Sequence, residues 1–243
     1  MSDTLYTLIW YSIMIVVVAW AGGIIPIYYR ENKFVIHLFI SFGAGILLGA
    51  AFLHMIPESA KSIGHDLGLP LLAGFLVLYI AEKFVMTHPC PAENCEQHTV
   101  GISAFIGLSL HSLITGLALG SGILVPKLGL IVFLAIVLHK LPASLSLASL
   151  LVKDKYSTTK IAWIIFIFSI MVPIGAFLTY FFAQNTSETV VGMLVAFSGG
   201  TFLHVASDDL LPEVHQHGDD RKLRLIAFIV GLLVIWSVTF LEH

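Results

Sequence analysis

The residues with the most chemistry in this sequence lie where water is scarcest. His111, Ser112 and Thr115 sit about halfway along one long apolar run; His139, Lys140, Pro142 and Ser144 sit about halfway along the next. Imidazole nitrogens are good ligands for zinc and its first-row neighbours, and hydroxyls add weaker oxygen donors. Pro126, Lys127 and Gly129 mark a short turn between the runs, which makes them antiparallel neighbours with their mid-length groups at one depth. Pro142 has no amide hydrogen, so the carbonyl of Leu138 loses its helical partner and is free for an ion or a water. Gly116 and Gly120 give a small-xxx-small face that admits a close neighbour. One buried histidine is more often a packing residue than a ligand. Two at matching depth with hydroxyls beside them favour a divalent metal, because ionisable groups in hydrocarbon are costly and are kept for pathways or sites.

Three further clusters carry ligand chemistry. His54 and Glu58 are one helical turn apart, so both could touch one ion, or else hydrogen-bond headgroups or another helix. His204 and Asp208 repeat that spacing, followed by Asp209 and Glu213 and then by His215, His217, Asp219 and Asp220. A solvated acidic helix end explains Glu213 onward but not His204 and Asp208, which fall within an apolar run. His88, Cys90, Cys95 and His98 share one polar loop, in a spacing that matches no standard zinc finger; a plain polar loop is the simpler reading.

Apolar runs must position these groups. The 243-residue chain is 58% hydrophobic and 11% charged, against about 25% charged in soluble domains, so it belongs in a membrane. Its net charge of −3 and lack of a basic tract exclude nucleic acid as a partner. The residues before the first run hold Asp3 and no Lys or Arg, which argues against a cleaved signal peptide. Eight runs, at about 5–28, 34–57, 69–87, 101–124, 128–151, 160–183, 188–211 and 223–241, are long enough to cross a bilayer. The expected fold is all-α: one transmembrane domain over 1–243, an eight-helix bundle, with a cytoplasmic loop at 88–100. Continuous rather than alternating apolarity excludes a β-barrel. Arg30, Lys33, Lys83, Lys153, Lys155, Lys160, Arg221, Lys222 and Arg224 border the odd-numbered loops, against Lys61 and Lys127 at the even ones. Positive charge marks the cytoplasmic side, which puts both termini outside the cell. GAAFLH ending at His54 and GGTFLH ending at His204 hint at an inverted repeat, spans 1–3 against 6–8 around the central pair, an arrangement that places substrate at the repeat interface.

At the central pair the chain resembles the ZIP family of divalent-metal transporters, the Zrt- and Irt-like proteins. Its fourth span, resembling H-S/N-x-x-D/E-G, is matched by His111-Ser112-Leu113-Ile114-Thr115-Gly116, and its fifth, H/Q-E/D-x-P-H/E, by His139-Lys140-Leu141-Pro142-Ala143. Val172-Pro173-Ile174-Gly175 is similar to the sixth-span E-P-x-G, and FLHMIPES and FLHVASDDLLPE look family-like. Family members often hold two adjacent metals at this centre. The resemblance implies that His111 and His139 remain of the first metal's ligands, while Thr115 and Ala143 replace others. The second metal's ligands align with Ser112, Lys140 and Val172, so Lys140 would stand where that cation sits. A lysine charge about 4 Å from a dication repels it by several kcal/mol even at an effective dielectric near 20, unless burial neutralises the amine or Asp208 or Asp209 reaches in.

The expected function is import of a divalent transition metal, zinc foremost, with Fe²⁺, Mn²⁺ and Cd²⁺ as other candidates and no organic cofactor. His54 and Glu58 would collect the ion, His111 and His139 hold it midway, and His204 with Asp208 and Asp209 pass it inward. The partners are the ion and the lipid bilayer; a homodimer is compatible with the sequence, which leaves the oligomeric state open. The alternative is a transport-impaired relative that senses metal or binds a partner, motivated by Lys140 and the missing acids. An intramembrane metallohydrolase is disfavoured, because neither H-E-x-x-H nor G-x-S-x-G occurs.

Overall fold

Long apolar stretches without internal charge have no way to satisfy their backbone in lipid except by closing it into helix. In the computed structural model, which describes residues 2–85, 100–123, 126–182, 187–215 and 220–239, every regular element is helical. The elements are α1 (Ser2–Tyr28), α2 (Lys33–Gly49), a π-helical segment (Ala50–Met55), α3 (Ile56–Ile63), a 3-10 turn (Gly64–Leu67), α4 (Gly68–Ile80) and a second π segment (Ala81–Val85). Then come α5 (Val100–Gly122), α6 (Pro126–Lys153), α7 (Thr158–Phe182), α8 (Glu188–His204), a third π segment (Val205–Leu210), α9 (Leu211–His215) and α10 (Arg221–Thr239). The Cys90–Cys95 loop, His217 and Asp219, and the side chains of Lys127, Asp209 and Glu213 lie outside the described residues.

Among the described residues six stretches are long and apolar enough to cross a membrane: Asp3–Tyr28, Lys33–Lys83, Gly101–Gly122, Val132–Lys153, Thr158–Phe182 and Glu188–Asp208. The protein is therefore a multi-pass helical membrane protein. The second stretch covers two of the eight expected runs and is broken at Gly64, whose φ of 55° suits a residue without Cβ. On either side of that break the chain runs in opposite directions along α8. Gly192 faces Ser62 and Gly199 faces Met55, whereas Gly200 meets Leu71 and His204 meets Glu82. The eighth expected run, α10, opens with Arg221, Lys222 and Arg224 and is not among the six stretches.

Four helix pairings dominate: α1 with α6, α5 with α7, α2 with α10, and α4 with α8. Small residues make them close. A methyl group on Gly116 would strike the carbonyl of Val172, and one on Gly175 the carbonyl of Leu113, so α5 and α7 touch backbone to backbone. Gly120 meets Ala176 in the same way, which accounts for the small-residue face read from the sequence.

α2 and α8 share a plan. Each is 17 residues long, each is capped by a side chain (Asn32 accepting from Val35 N, Ser187 accepting from Val190 N), and each continues into a six-residue π segment. Proline follows in both, at Pro57 and Pro212. In this register Gly49 corresponds to His204 and His54 to Asp209, so the GAAFLH and GGTFLH likeness is out of structural step by five residues.

Candidate metal centre

α5 and α6 bring the two central histidines together. The ring centroids of His111 and His139 are 5.6 Å apart, with planes at 57°. Both rings line a cavity of about 320 Å³ that they share with His54, Glu58, Lys61 and Thr115. Here the structure joins two sequence clusters into one: His54 and Glu58 stand on the walls of the chamber that ends at His111 and His139. Glu58 is bound at its mouth to Lys61, Oε2 to Nζ 2.9 Å, both side chains more than half exposed.

The His111 ring is held at both nitrogens. Nδ1 lies 3.1 Å from Ser198 Oγ and Nε2 lies 3.2 Å from Thr115 Oγ1. Thr115 spends its hydroxyl proton on the His111 carbonyl, 2.8 Å away, so it accepts from Nε2–H and Ser198 donates to Nδ1. A cation taking the Nε2 lone pair would send the proton to Nδ1, where Ser198 can turn and accept it. His139 is hydrogen-bonded to the backbone at Ala135, one turn earlier. Phe202 packs its ring 4.6 Å from that of His111.

The remaining central residues turn elsewhere. Lys140 is 2% exposed. Its Nζ donates to Ser112 Oγ at 2.8 Å and to the Phe168 carbonyl at 3.2 Å, and sits 3.4 Å from the centroid of the Phe168 ring. Neither Lys140 nor Ser112 lines the cavity. Ser144 donates to the carbonyl of Ala19 on α1, and Pro142 sits inside an α6 that continues unbroken past it. Asp208 does not reach Lys140; it pairs with Lys83 instead, Oδ2 to Nζ 3.2 Å.

A second cluster forms between the ends of α4 and α8. His204 is fully buried, with Nε2 2.7 Å from Glu82 Oε2, and Phe75 and Tyr79 present their rings edge-on to it. Glu82, His204 and Asp208 offer ligand atoms all within 4.8 Å of one another. Glu82 was not singled out from the sequence. The signal was present, as a carboxylate inside the third apolar run, but Glu82-Lys83 reads as the charged end of a span.

Paired histidines between two central helices, with family-like motifs on both, call for comparison with known transporters. The sequence pattern of the ZIP zinc transporter family matches residues 5–93 and 87–239. The chain belongs to the ZIP zinc transporter family. It is 26% identical over 283 aligned positions to the Zinc transporter ZIP9-A of Xenopus laevis, covering 92% of this chain and 93% of that protein. The Zinc transporter ZIP13 of Pongo abelii is 28% identical over 229 positions, 82% of this chain and 66% of that protein. A stretch of 148 positions, 53% of the chain, is 33% identical to the Zinc transporter ZIP9 of Macaca fascicularis. As a ZIP protein the chain is a member of a family of membrane metal transporters, and the expectation that it is not an enzyme accords with that membership.

Proposed function

We propose that this ZIP protein carries a divalent transition-metal ion, zinc foremost, from outside the cell into the cytoplasm through a site built on His111 and His139. The observation that carries the reading is the cavity they share with His54 and Glu58. An ion entering past a carboxylate and an imidazole meets two more imidazoles at the closed end. Partial coordination shells keep each step shallow, as conduction requires. Zinc favours such nitrogen and oxygen donors, although they do not select it sharply over iron, manganese or cadmium.

Eight spans with both termini outside complete the reading. The distribution of Lys and Arg supports the orientation, and the pairing scheme supports an inverted repeat. Exchanging α1 with α7, α2 with α8, α4 with α10 and α5 with α6 turns the α1–α6 contact into α7–α5, and α2–α10 into α8–α4. The capping side chains and π segments of α2 and α8 fit the same exchange. Lys140 takes the second metal's place: its Nζ is bound to Ser112, one of the aligned positions, and Phe168 lies one turn before Val172, the other. The centre then holds one ion rather than two.

That same lysine favours the second reading, a transport-impaired ZIP protein that senses metal or binds a partner, since a position that serves a cation elsewhere is filled by the chain itself. The deciding experiment is flux into proteoliposomes with zinc, iron, manganese and cadmium in parallel. The wild type should move zinc, and His111→Ala with His139→Ala should abolish it. Equal accumulation by the double variant would rule the site out; zinc binding without flux in the wild type would establish the second reading.

A further inference from the structure

The flank between α1 and α7 carries features that the central chamber does not use. The two helices pack together, closely enough that a methyl group on Gly23 would strike the side chain of buried Ile165. Beside that contact lies a groove of about 280 Å³, lined by Trp20, Thr159, Ala162, Trp163 and Phe166. The four α7 residues are spaced i, i+3, i+4, i+7 and so form one face of the helix. Trp20 supplies the wall from α1. Trp163 is 63% exposed and meets Phe166 edge-on, ring centroids 5.9 Å apart. An apolar groove open on the side of a span is filled by hydrocarbon, not by water.

The groove has a basic rim at one end. Thr159 stands there, one residue after Thr158, whose hydroxyl accepts from Arg30 Nη1 at 2.7 Å. Arg30 follows the end of α1, and Thr158 is the first residue of α7. Arg30 Nε also lies 3.5 Å from Glu31 Oε1, but the Glu31 side chain is 94% exposed, and such a contact contributes little. Neither contact uses Nη2, and a guanidinium has five donors to place. Lys160 is exposed and lies three residues before Trp163, on the same side of α7. From Thr159 to Phe166 the groove runs about 10 Å along the helix, about two thirds of the hydrocarbon depth of one leaflet. Basic rim, tryptophan just below it and apolar slot toward the midplane match the phosphate, the glycerol-ester region and the acyl chain of a phospholipid.

We propose that the α1–α7 groove is a binding site for one anionic phospholipid, its phosphate on Arg30 and Lys160 and one acyl chain along Trp163 and Phe166 against Trp20. The site belongs to the leaflet at the α1–α2 and α6–α7 connections, the cytoplasmic one in the orientation proposed above. It goes beyond the transport reading and does not depend on it. Basic residues at this end of the spans also set the orientation of the chain, but that role needs no groove. A built site differs in holding headgroup and chain together, with residues of two helices.

The test uses the full chain with Trp10→Phe and Trp236→Phe, which leaves Trp20 and Trp163 as fluorophores, in phosphatidylcholine vesicles containing a minor share of phosphatidylglycerol. Bromine on the acyl chains of one lipid or the other quenches a tryptophan that the chain touches. Brominated phosphatidylglycerol should be preferred over brominated phosphatidylcholine by about fivefold or more, the effect of one basic residue on an anionic headgroup. Arg30→Gln with Lys160→Gln should remove the preference. Arg221→Gln with Lys222→Gln should keep it, because α10 packs chiefly on α2. Ala162→Phe fills the slot and should weaken the preference although every charge remains. Should Arg30→Gln fail to fold without its bond to Thr158, Lys160→Gln alone must lower the preference. Equal quenching by the two lipids, a preference unmoved by the Arg30 and Lys160 substitutions, or one lost equally with those on α10 would overturn the proposal. Quenching by neither lipid would mean that a second copy of the chain covers the groove, and overturns it as well.

Discussion

Ser198 on α8 donates to Nδ1 of His111 on α5 across 3.1 Å, in a buried contact that ties the central ring to a helix outside the α5–α6 pair. Ser198 touches no ion in this reading. It sets which nitrogen of His111 carries the proton and which way the ring faces. Partners of this kind are worth about 10–100-fold in metal affinity. Ser198→Ala should raise the KM for zinc about tenfold in proteoliposome uptake, with a smaller change in the maximal rate, and Ser198→Thr should restore it. An alanine variant with wild-type KM would show that the ring needs no help from α8.

The contact between Gly116 and Gly175 predicts a stability effect with an internal control. A methyl group on either meets a backbone carbonyl of the opposite helix, whereas one on Gly68 meets nothing within 4 Å. Overpacking of this kind costs about 1–3 kcal/mol. Gly116→Ala and Gly175→Ala should each lower the thermal midpoint in detergent clearly, and Gly68→Ala should leave it nearly unchanged. A uniform response at all three positions would mean that helix propensity, not the close approach, governs.

Asp154, just past the end of α6, caps the start of α5: its Oδ2 accepts from Gly101 N at 2.8 Å, buried. A lost side-chain cap costs about 1 kcal/mol. Burial, and then the neighbouring Asp154 charge, hold the Tyr156 hydroxyl above the ordinary phenol value of 10.0. A negative neighbour disfavours the phenolate, so Asp154→Asn should bring the Tyr156 titration down toward that value while burial keeps it somewhat raised. Ultraviolet difference titration against Tyr156→Phe isolates this one tyrosine. An unmoved titration would remove Asp154 as a cause.

The apolar runs and the central pair were legible because hydrocarbon imposes its own grammar: continuous apolarity gives spans, and a short connection makes neighbours of His111 and His139, although Pro126–Gly129, expected as the turn itself, form the first turn of α6. The π segments were not legible, since no residue pattern distinguishes a widened turn from an α-helical one. By sequence GAAFLH and GGTFLH pair His54 with His204, whereas by position after the cap and within the π segment His54 stands level with Asp209. Glu82 was hidden by Lys83, because adjacent opposite charges at a span end look like an interface. The direction of Lys140 could have been read. Consecutive residues on an α-helix point about 100° apart, so a His139 facing the cavity sends Lys140 toward a different neighbour.

Lys140 gives the sharpest functional prediction. Its Nζ is bound to Ser112 and Phe168, in the α5–α7 contact, where the family resemblance puts a second cation. Lys140→Met keeps the length of the side chain and removes the amine that donates to Ser112 and Phe168. Such a protein should keep zinc uptake, with equal or higher apparent affinity, because the amine proposed to stand in the second cation's place has gone. Lys140→Glu with Thr115→Asp puts carboxylates where the family pattern has them, and should raise the zinc stoichiometry of the centre from one to two in equilibrium dialysis. Transport that rises in this variant from a weak wild-type rate would identify the natural protein as impaired by its own lysine. An unchanged stoichiometry would show that Lys140 does not stand in a metal's place.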